Sequence, residues 1–112
     1  MKSFDLKVPL YYQKICIIQT DDFKRIEKEF DLTSTEGYNA FTFKKNNIIF
    51  AVFLESETTP SIVSHECVHI CDYVFDSCFI KPDLENNEPY AYLMGWIVGE
   101  IHKLLTIDTE KP

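Results

Sequence analysis

The sequence contains few basic residues. Eleven Lys and Arg stand against 18 Asp and Glu, which gives a formal net charge of −7, and the lysines are scattered apart from the pair Lys44-Lys45. Sequence-independent binding of nucleic acid requires clustered Lys and Arg that neutralise phosphates. We therefore expect no nucleic-acid partner and interpret the acidic surface mainly as an aid to solubility.

Long apolar runs are also missing. No window approaches the roughly 18 uninterrupted apolar residues of a membrane span, and residues 1–7 contain no apolar signal core. Four cysteines are present, but no Cys-x-x-Cys pair occurs. We therefore expect no membrane partner, a cytoplasmic location and free thiols in a reducing compartment.

Repeats, low-complexity tracts and linkers are absent, which favours one domain. Hydrophobic periodicity and turn residues predict the order β-α-β-β-α-α. The predicted elements are a strand at the end of residues 7–19, a helix over 21–30, strands over 38–44 and 48–54, and helices over 60–77 and 88–105. This order predicts an α+β fold with an antiparallel sheet on one side of a helix pair.

The pentapeptide His65-Glu66-Cys67-Val68-His69 lies within the helix predicted over residues 60–77. Its i, i+4 spacing places both imidazoles on one helical face, where they can hold one Zn²⁺. Glu66 lies at the rim of that face, where a carboxylate can serve as a base without binding the metal.

A helical projection separates this polar face from an apolar one. At about 100° per residue, His69, Asp72 and Asp76 fall within about 40° of His65. The apolar positions occupy a different arc: Val63, Cys67, Ile70, Cys71, Val74, Phe75 and Cys78. Because a core histidine would lie among apolar positions, the separation favours a metal site, and it favours small core side chains as the role of these cysteines.

Several carboxylates can supply a third ligand, and their spacing leaves the choice open. Glu88 stands in the first turn of the next predicted helix, which a short loop could bring toward the metal, and Asp83 and Glu85 lie in that loop. Asp72 and Asp76 share the motif helix. Asp72 is better placed as a hydrogen-bond acceptor for an imidazole N–H.

Mostly small residues share one face of the helix that follows Glu88: Ala91, Tyr92, Gly95, Gly99 and His102. Because glycine inside a helix costs up to about 1 kcal/mol, the stripe predicts a close helix–helix approach that would bring Glu88 toward the histidines. His102 lies about 21 Å from Glu88 along a straight helix, so we interpret it as a surface or packing residue.

Together, His65-Glu66-x-x-His69 and the later segment Asn87-Glu88-Pro89-Tyr90-Ala91-Tyr92 resemble the gluzincin class of HExxH zinc metallopeptidases. More closely, the chain resembles the very short minigluzincins and small metallopeptidase-like proteins of bacteriophages and prophages. The region that carries the resemblance spans residues 60–105. The resemblance implies one minimal zincin-like domain over residues 1–112, in which a small antiparallel sheet packs on the motif helix and a C-terminal glutamate helix.

The resemblance also implies an activity. Zn²⁺ would be the cofactor, with His65, His69 and Glu88 as ligands and Glu66 as general base and acid. The reaction would be hydrolysis of a peptide or protein substrate. If the protein is phage-encoded, the expected location is the cytoplasm of the host cell.

Two further expectations concern the substrate. Tyr90 and Tyr92 are candidates to stabilise the oxyanion, because they are close to Glu88 in the sequence. The resemblance implies that the strand before the motif helix, residues 48–54, binds extended peptide by adding it to the sheet edge.

A non-catalytic function is the alternative. Zinc could pin the helix pair together in a phage-type protein that acts as a binding or assembly component, with a protein partner in phage assembly or in the host. Structural zinc sites are usually closed by four protein ligands and are often rich in cysteine. Glu66 and a three-ligand set therefore favour hydrolysis.

Overall fold

The computed structural model describes residues 1–107, which form an α+β fold as predicted. Its strands are β1 (Lys2–Lys7), β2 (Lys14–Thr20), β3 (Ala40–Lys45) and β4 (Ile48–Leu54). Its α-helices are α1 (Phe23–Phe30), α2 (Pro60–Ser77) and α3 (Glu88–Leu104), with a short 3₁₀ turn at Glu55–Glu57. The last five residues of the predicted domain lie outside the described residues.

The strands form one mixed sheet in the order β1-β2-β4-β3. β1 pairs with β2 and β3 pairs with β4 in antiparallel fashion, whereas β2 and β4 are parallel. The prediction of an antiparallel sheet is therefore wrong at its centre. The reason is that β2 and β4 lie inside the sheet and are apolar on both faces, a pattern that parallel central strands share.

The two faces of the sheet carry separate cores. Ile15 and Ile17 of β2 pack on one face with side chains of α2 and α3, whereas Cys16 and Ile18 pack on the other face with Ile26 of α1. Because successive strand residues point to opposite faces, one apolar run serves both cores.

Helix α2 begins as its sequence predicts. The Thr59 hydroxyl accepts a hydrogen bond from the Ile62 amide at 3.3 Å, and Pro60 occupies the first turn, where no amide donor is needed. The helix ends where Phe79 takes a positive φ of 58° and the Ile80 amide donates to the Phe75 carbonyl at 2.9 Å. These two ends fix the position of the histidine motif on the helix.

Helix α3 is oriented differently from the prediction. Its buried residues are Leu93, Ile97 and Ile101. Gly95 and Gly99 are exposed, and a Cβ atom added to either would meet nothing within 4 Å. The predicted close helix–helix approach along the small-residue stripe is therefore wrong, because the branched apolar side chains on another face of α3 form the core contact.

Within residues 1–107, no helix has the length and apolar character needed to cross a membrane.

Candidate metal centre

Helix α2 has the two-faced character that its sequence predicts. Val63, Cys67 and Ile70 are fully buried, whereas His65 and His69 are exposed. Because the histidines face away from the core, their rings are not held as structural core side chains. They are free to bind a ligand that approaches from solvent.

The two imidazole rings converge. The Nε2 atoms of His65 and His69 are 3.3 Å apart, and their ring planes meet at 73°. Two nitrogen ligands at Zn–N distances of 2.0–2.1 Å and a tetrahedral angle would be about 3.3–3.4 Å apart. The separation also suits a hydrogen bond between two neutral rings of opposite tautomer. The histidine pair thus fits one edge of a zinc tetrahedron.

Glu66 lies beside this pair but is buried, with 4% of its surface exposed. Its Oε2 atom is 3.8 Å from the Nε2 atom of His65. Its Oε1 atom accepts a hydrogen bond of 2.8 Å from the hydroxyl of Thr42 on β3. The two carboxylate oxygens therefore have different roles: one is tied to the sheet, and the other faces the histidine pair.

The histidine pair and Glu66 open into a cavity of about 790 Å³ between α2 and β3. Its lining consists of Tyr38, Ala40, Phe41, Thr42, His65, Glu66, His69, Asp72, Tyr73, Asp76, Ile80, Lys81 and Pro82.

The strand along this cavity is β3, whereas β4 is paired on both sides, with β2 and with β3. The expectation that residues 48–54 offer a free sheet edge is therefore wrong, and β3 is the edge strand beside the site.

Glu88 does not join the histidines in this structure. It is the first residue of α3 and is exposed, and it is not among the residues of 1–107 that line the cavity. In the same range, no three or more His, Cys, Asp or Glu side chains gather in an arrangement that could hold a metal ion. The structure therefore brings two of the three predicted ligands together, and the role of Glu88 stays a prediction.

Asp72 lines the cavity one turn beyond His69, and its Oδ1 atom accepts a 2.8 Å hydrogen bond from the Tyr90 hydroxyl. The same hydroxyl lies 3.2 Å from the Val68 carbonyl oxygen. Burial, and then the Asp72 hydrogen bond, raise the pKa of Tyr90. Tyr90 therefore remains a neutral phenol that links α3 to α2.

The two tyrosines do not line the cavity, although the Tyr90 hydroxyl contacts the lining residue Asp72. Among the described residues, neither Tyr90 nor Tyr92 contributes to its lining, and 75% of Tyr92 is exposed. Nothing in this placement adds support to their predicted role at the oxyanion, which stays a prediction.

Sequence reasoning missed Thr42. A detectable signal was present: the predicted strand over residues 38–44 places a hydroxyl between Phe41 and Phe43, so Thr42 faces opposite to both phenylalanines. The signal did not reveal which helix would lie against that face.

Comparisons with protein-family models, with curated proteins and with solved structures found no match to this chain.

Proposed function

We propose that this protein is a zinc-dependent peptidase of the gluzincin type. The observation that carries the proposal is the convergence of the His65 and His69 Nε2 atoms at 3.3 Å beside the buried carboxylate of Glu66. A fit to tetrahedral zinc, an adjacent base and an open cavity are the three components that metal-assisted hydrolysis needs.

Zinc held there would act as a Lewis acid that polarises a carbonyl group and lowers the pKa of water toward about 7. His65 and His69 would hold the ion through Nε2, and Glu88 is the proposed third ligand. Because Glu88 does not gather with the two histidines within residues 1–107, its participation would require that its side chain or the first turn of α3 move toward them.

Glu66 is the proposed general base and acid. Its Oε2 atom faces the histidine pair and would take a proton from the attacking water, then deliver it to the leaving amine. Glu66 is buried but lines the cavity, so a water molecule bound in the cavity could reach this carboxylate.

The proposed substrate is an extended peptide that pairs with the free edge of β3. An edge strand offers unpaired amide and carbonyl groups to an added strand. Ala40, Phe41 and Thr42 of β3 line the same cavity as the histidines, so a peptide paired there would pass the histidine pair. We also propose that the protein acts in the cytoplasm, in the host cell if it is phage-encoded.

The test combines metal content with hydrolysis of a quenched fluorescent peptide library. We expect Glu66→Gln to retain zinc and to lose at least about 100-fold in rate, because general-base catalysis contributes about 10²–10⁴-fold. His69→Ala should lose the metal. His102→Ala, an exposed histidine on α3, is the matched control and should retain both zinc and activity.

A Glu66→Gln protein that cleaves the library as fast as wild type would reject the role of Glu66. A full complement of zinc in His69→Ala would reject the ligand assignment. Zinc content in Glu88→Gln tests the third ligand separately.

A second candidate function is a non-catalytic, zinc-stabilised binding or assembly protein. The favouring observation is a set of large apolar side chains in loops: Phe79 is 97% exposed, Leu84 is 93% exposed and Leu10 is 87% exposed. The loop that contains Leu10 contacts the end of α2, where the Cys78 thiol donates to the Tyr11 carbonyl at 3.8 Å. Stoichiometric zinc without hydrolysis of any library peptide would favour this candidate.

A further inference from the structure

We infer that Thr42 is a positioning residue for Glu66, which fixes one carboxylate oxygen so that the other faces the histidine pair. This inference rests on the proposed peptidase function. It concerns a residue on the edge strand, whereas the residues of the motif all belong to helix α2.

The side chains of β3 alternate between the two faces of the sheet. Phe41 and Phe43 pack into the core cluster on the α1 side of the sheet, and their rings are 6.0 Å apart. Thr42 therefore points to the opposite side, toward α2. Lys44, two residues on, points the same way and donates a 2.5 Å hydrogen bond to the Ser77 hydroxyl of α2.

Glu66 is buried against the sheet. A carboxylate with 4% exposure has little access to water and depends on protein donors. The Thr42 hydroxyl supplies such a donor to Oε1 at 2.8 Å. A hydrogen bond of this length holds one carboxyl oxygen against β3, so it restricts rotation of the carboxyl group.

The hydrogen bond to Thr42 also decides which oxygen of Glu66 remains available for chemistry. With Oε1 bonded to Thr42, Oε2 is the atom that lies 3.8 Å from His65 Nε2. A general base must be within reach of the proton that it takes, and small errors in placement cost large factors in rate. Thr42, on the edge strand β3, thus fixes the orientation of Glu66, the proposed base.

The experiment compares Thr42→Val, Thr42→Ser and Lys44→Met with wild type and Glu66→Gln, all loaded with zinc. Valine keeps the branched shape and removes the hydroxyl, whereas serine keeps the hydroxyl. Lys44→Met is the matched control, because it removes a different hydrogen bond between the same strand and the same helix. Two quantities are measured for each variant. One is the rate of hydrolysis of the peptide library, and the other is the carbon-13 chemical shift of the Glu66 carboxylate.

We expect Thr42→Val to lose roughly 10- to 100-fold in kcat, the usual range for partners that orient the groups of a metal site. The KM should change less than about twofold, since Thr42 acts through Glu66. Thr42→Ser should recover most of the rate, and Lys44→Met should keep it. The carboxylate signal should move in Thr42→Val and stay in place in Thr42→Ser and Lys44→Met.

The inference is overturned if wild type cleaves peptides, Glu66→Gln does not, and Thr42→Val is as fast as wild type. It is equally overturned if serine fails to restore the rate. If wild type cleaves no peptide, the proposed function fails by that result. The Thr42 inference is then decided by the carboxylate signal, and an unchanged signal in Thr42→Val overturns it.

Discussion

Glu27 ties the segment after α1 to that helix through one carboxylate oxygen. The amide and the hydroxyl of Thr35 both donate to Glu27 Oε2, at 3.0 and 2.5 Å. These hydrogen bonds hold the pKa of Glu27 below its ordinary value of 4.5. Because the folded state lowers this pKa, the bonds stabilise the protein above about pH 4.5, and the effect is lost as the pH falls through the folded-state pKa.

We therefore predict that Thr35→Val lowers stability at neutral pH and flattens the loss of stability on acidification. The valine variant keeps the amide donor, so part of the pH dependence should remain. Urea unfolding midpoints between about pH 6 and pH 3 measure the effect. Glu29→Gln, which changes an exposed carboxylate of the same helix, is the control and should not alter the contribution of the Thr35 bonds. An unchanged acid slope in Thr35→Val would contradict the assignment.

At the scale of the element, the β3–β4 hairpin depends on its two-residue turn. Asn46 and Asn47 connect the paired residues Lys45 and Ile48, with φ values of 53° and 61°. Positive φ at both positions is the requirement of a type I′ turn, which asparagine tolerates and glycine favours. The turn sets the register that brings Thr42 to its place on β3.

We predict that Asn47→Val costs about 1–2 kcal/mol of unfolding free energy, because a branched residue resists the left-handed conformation. Asn47→Gly should be neutral or stabilising by a few tenths of a kcal/mol. Denaturant unfolding measures both changes. Asn86→Val serves as control and should stay within about 0.5 kcal/mol, since Asn86 is exposed and has no positive φ. Equal stability of Asn47→Val and wild type would contradict the turn assignment.

The buried face of helix α3 differs from the predicted one because two faces of the helix have a helical period. The stripe of small residues and the row of Leu93, Ile97 and Ile101 are both helical in period, so both are compatible with a packed face. The core selects the branched row, because it buries more apolar surface than glycine can. Gly95 and Gly99 are left facing solvent.

At the scale of the molecule, the cysteines report on the integrity of the core. Cys67 and Cys71 are fully buried, and burial raises the pKa of each to about 12. Cys16 is also buried, and desolvation raises its pKa. Cys78 is half-buried at the end of α2. Since the thiolate is the reactive form, the thiols should differ strongly in reactivity.

We predict that iodoacetamide at about pH 8 labels Cys78 first in the native protein. Cys67 and Cys71 should react only when urea unfolds the chain, because they are shielded and remain protonated. Peptide mapping by mass spectrometry locates the label. The Cys78→Ser variant should lose the fast native-state reaction, and labelling of Cys67 as fast as Cys78 would contradict the buried placement.

Local patterns predicted much of the chain. The predicted bounds 48–54 and 60–77 agree with β4 and α2, and Thr59 caps α2 by accepting a hydrogen bond from the Ile62 amide. These features depend on neighbours within one or two turns, which the sequence displays directly. β1 was not predicted, although its exposure alternates in part along Lys2–Lys7. A short edge strand with several charged residues gives only a weak apolar signal.

The sequence by itself determined the two faces of α2, because spacing along one helix fixes which side chains share a side. It therefore placed His65 and His69 together and kept them out of the core. Only the tertiary structure decided that β3 is the strand beside the site, that Thr42 meets Glu66 and that Glu88 stands apart from the histidines. These relations depend on how segments distant in the sequence pair and pack. The same local pattern is compatible with many strand pairings, and burial of the hydrophobic core selects one of them.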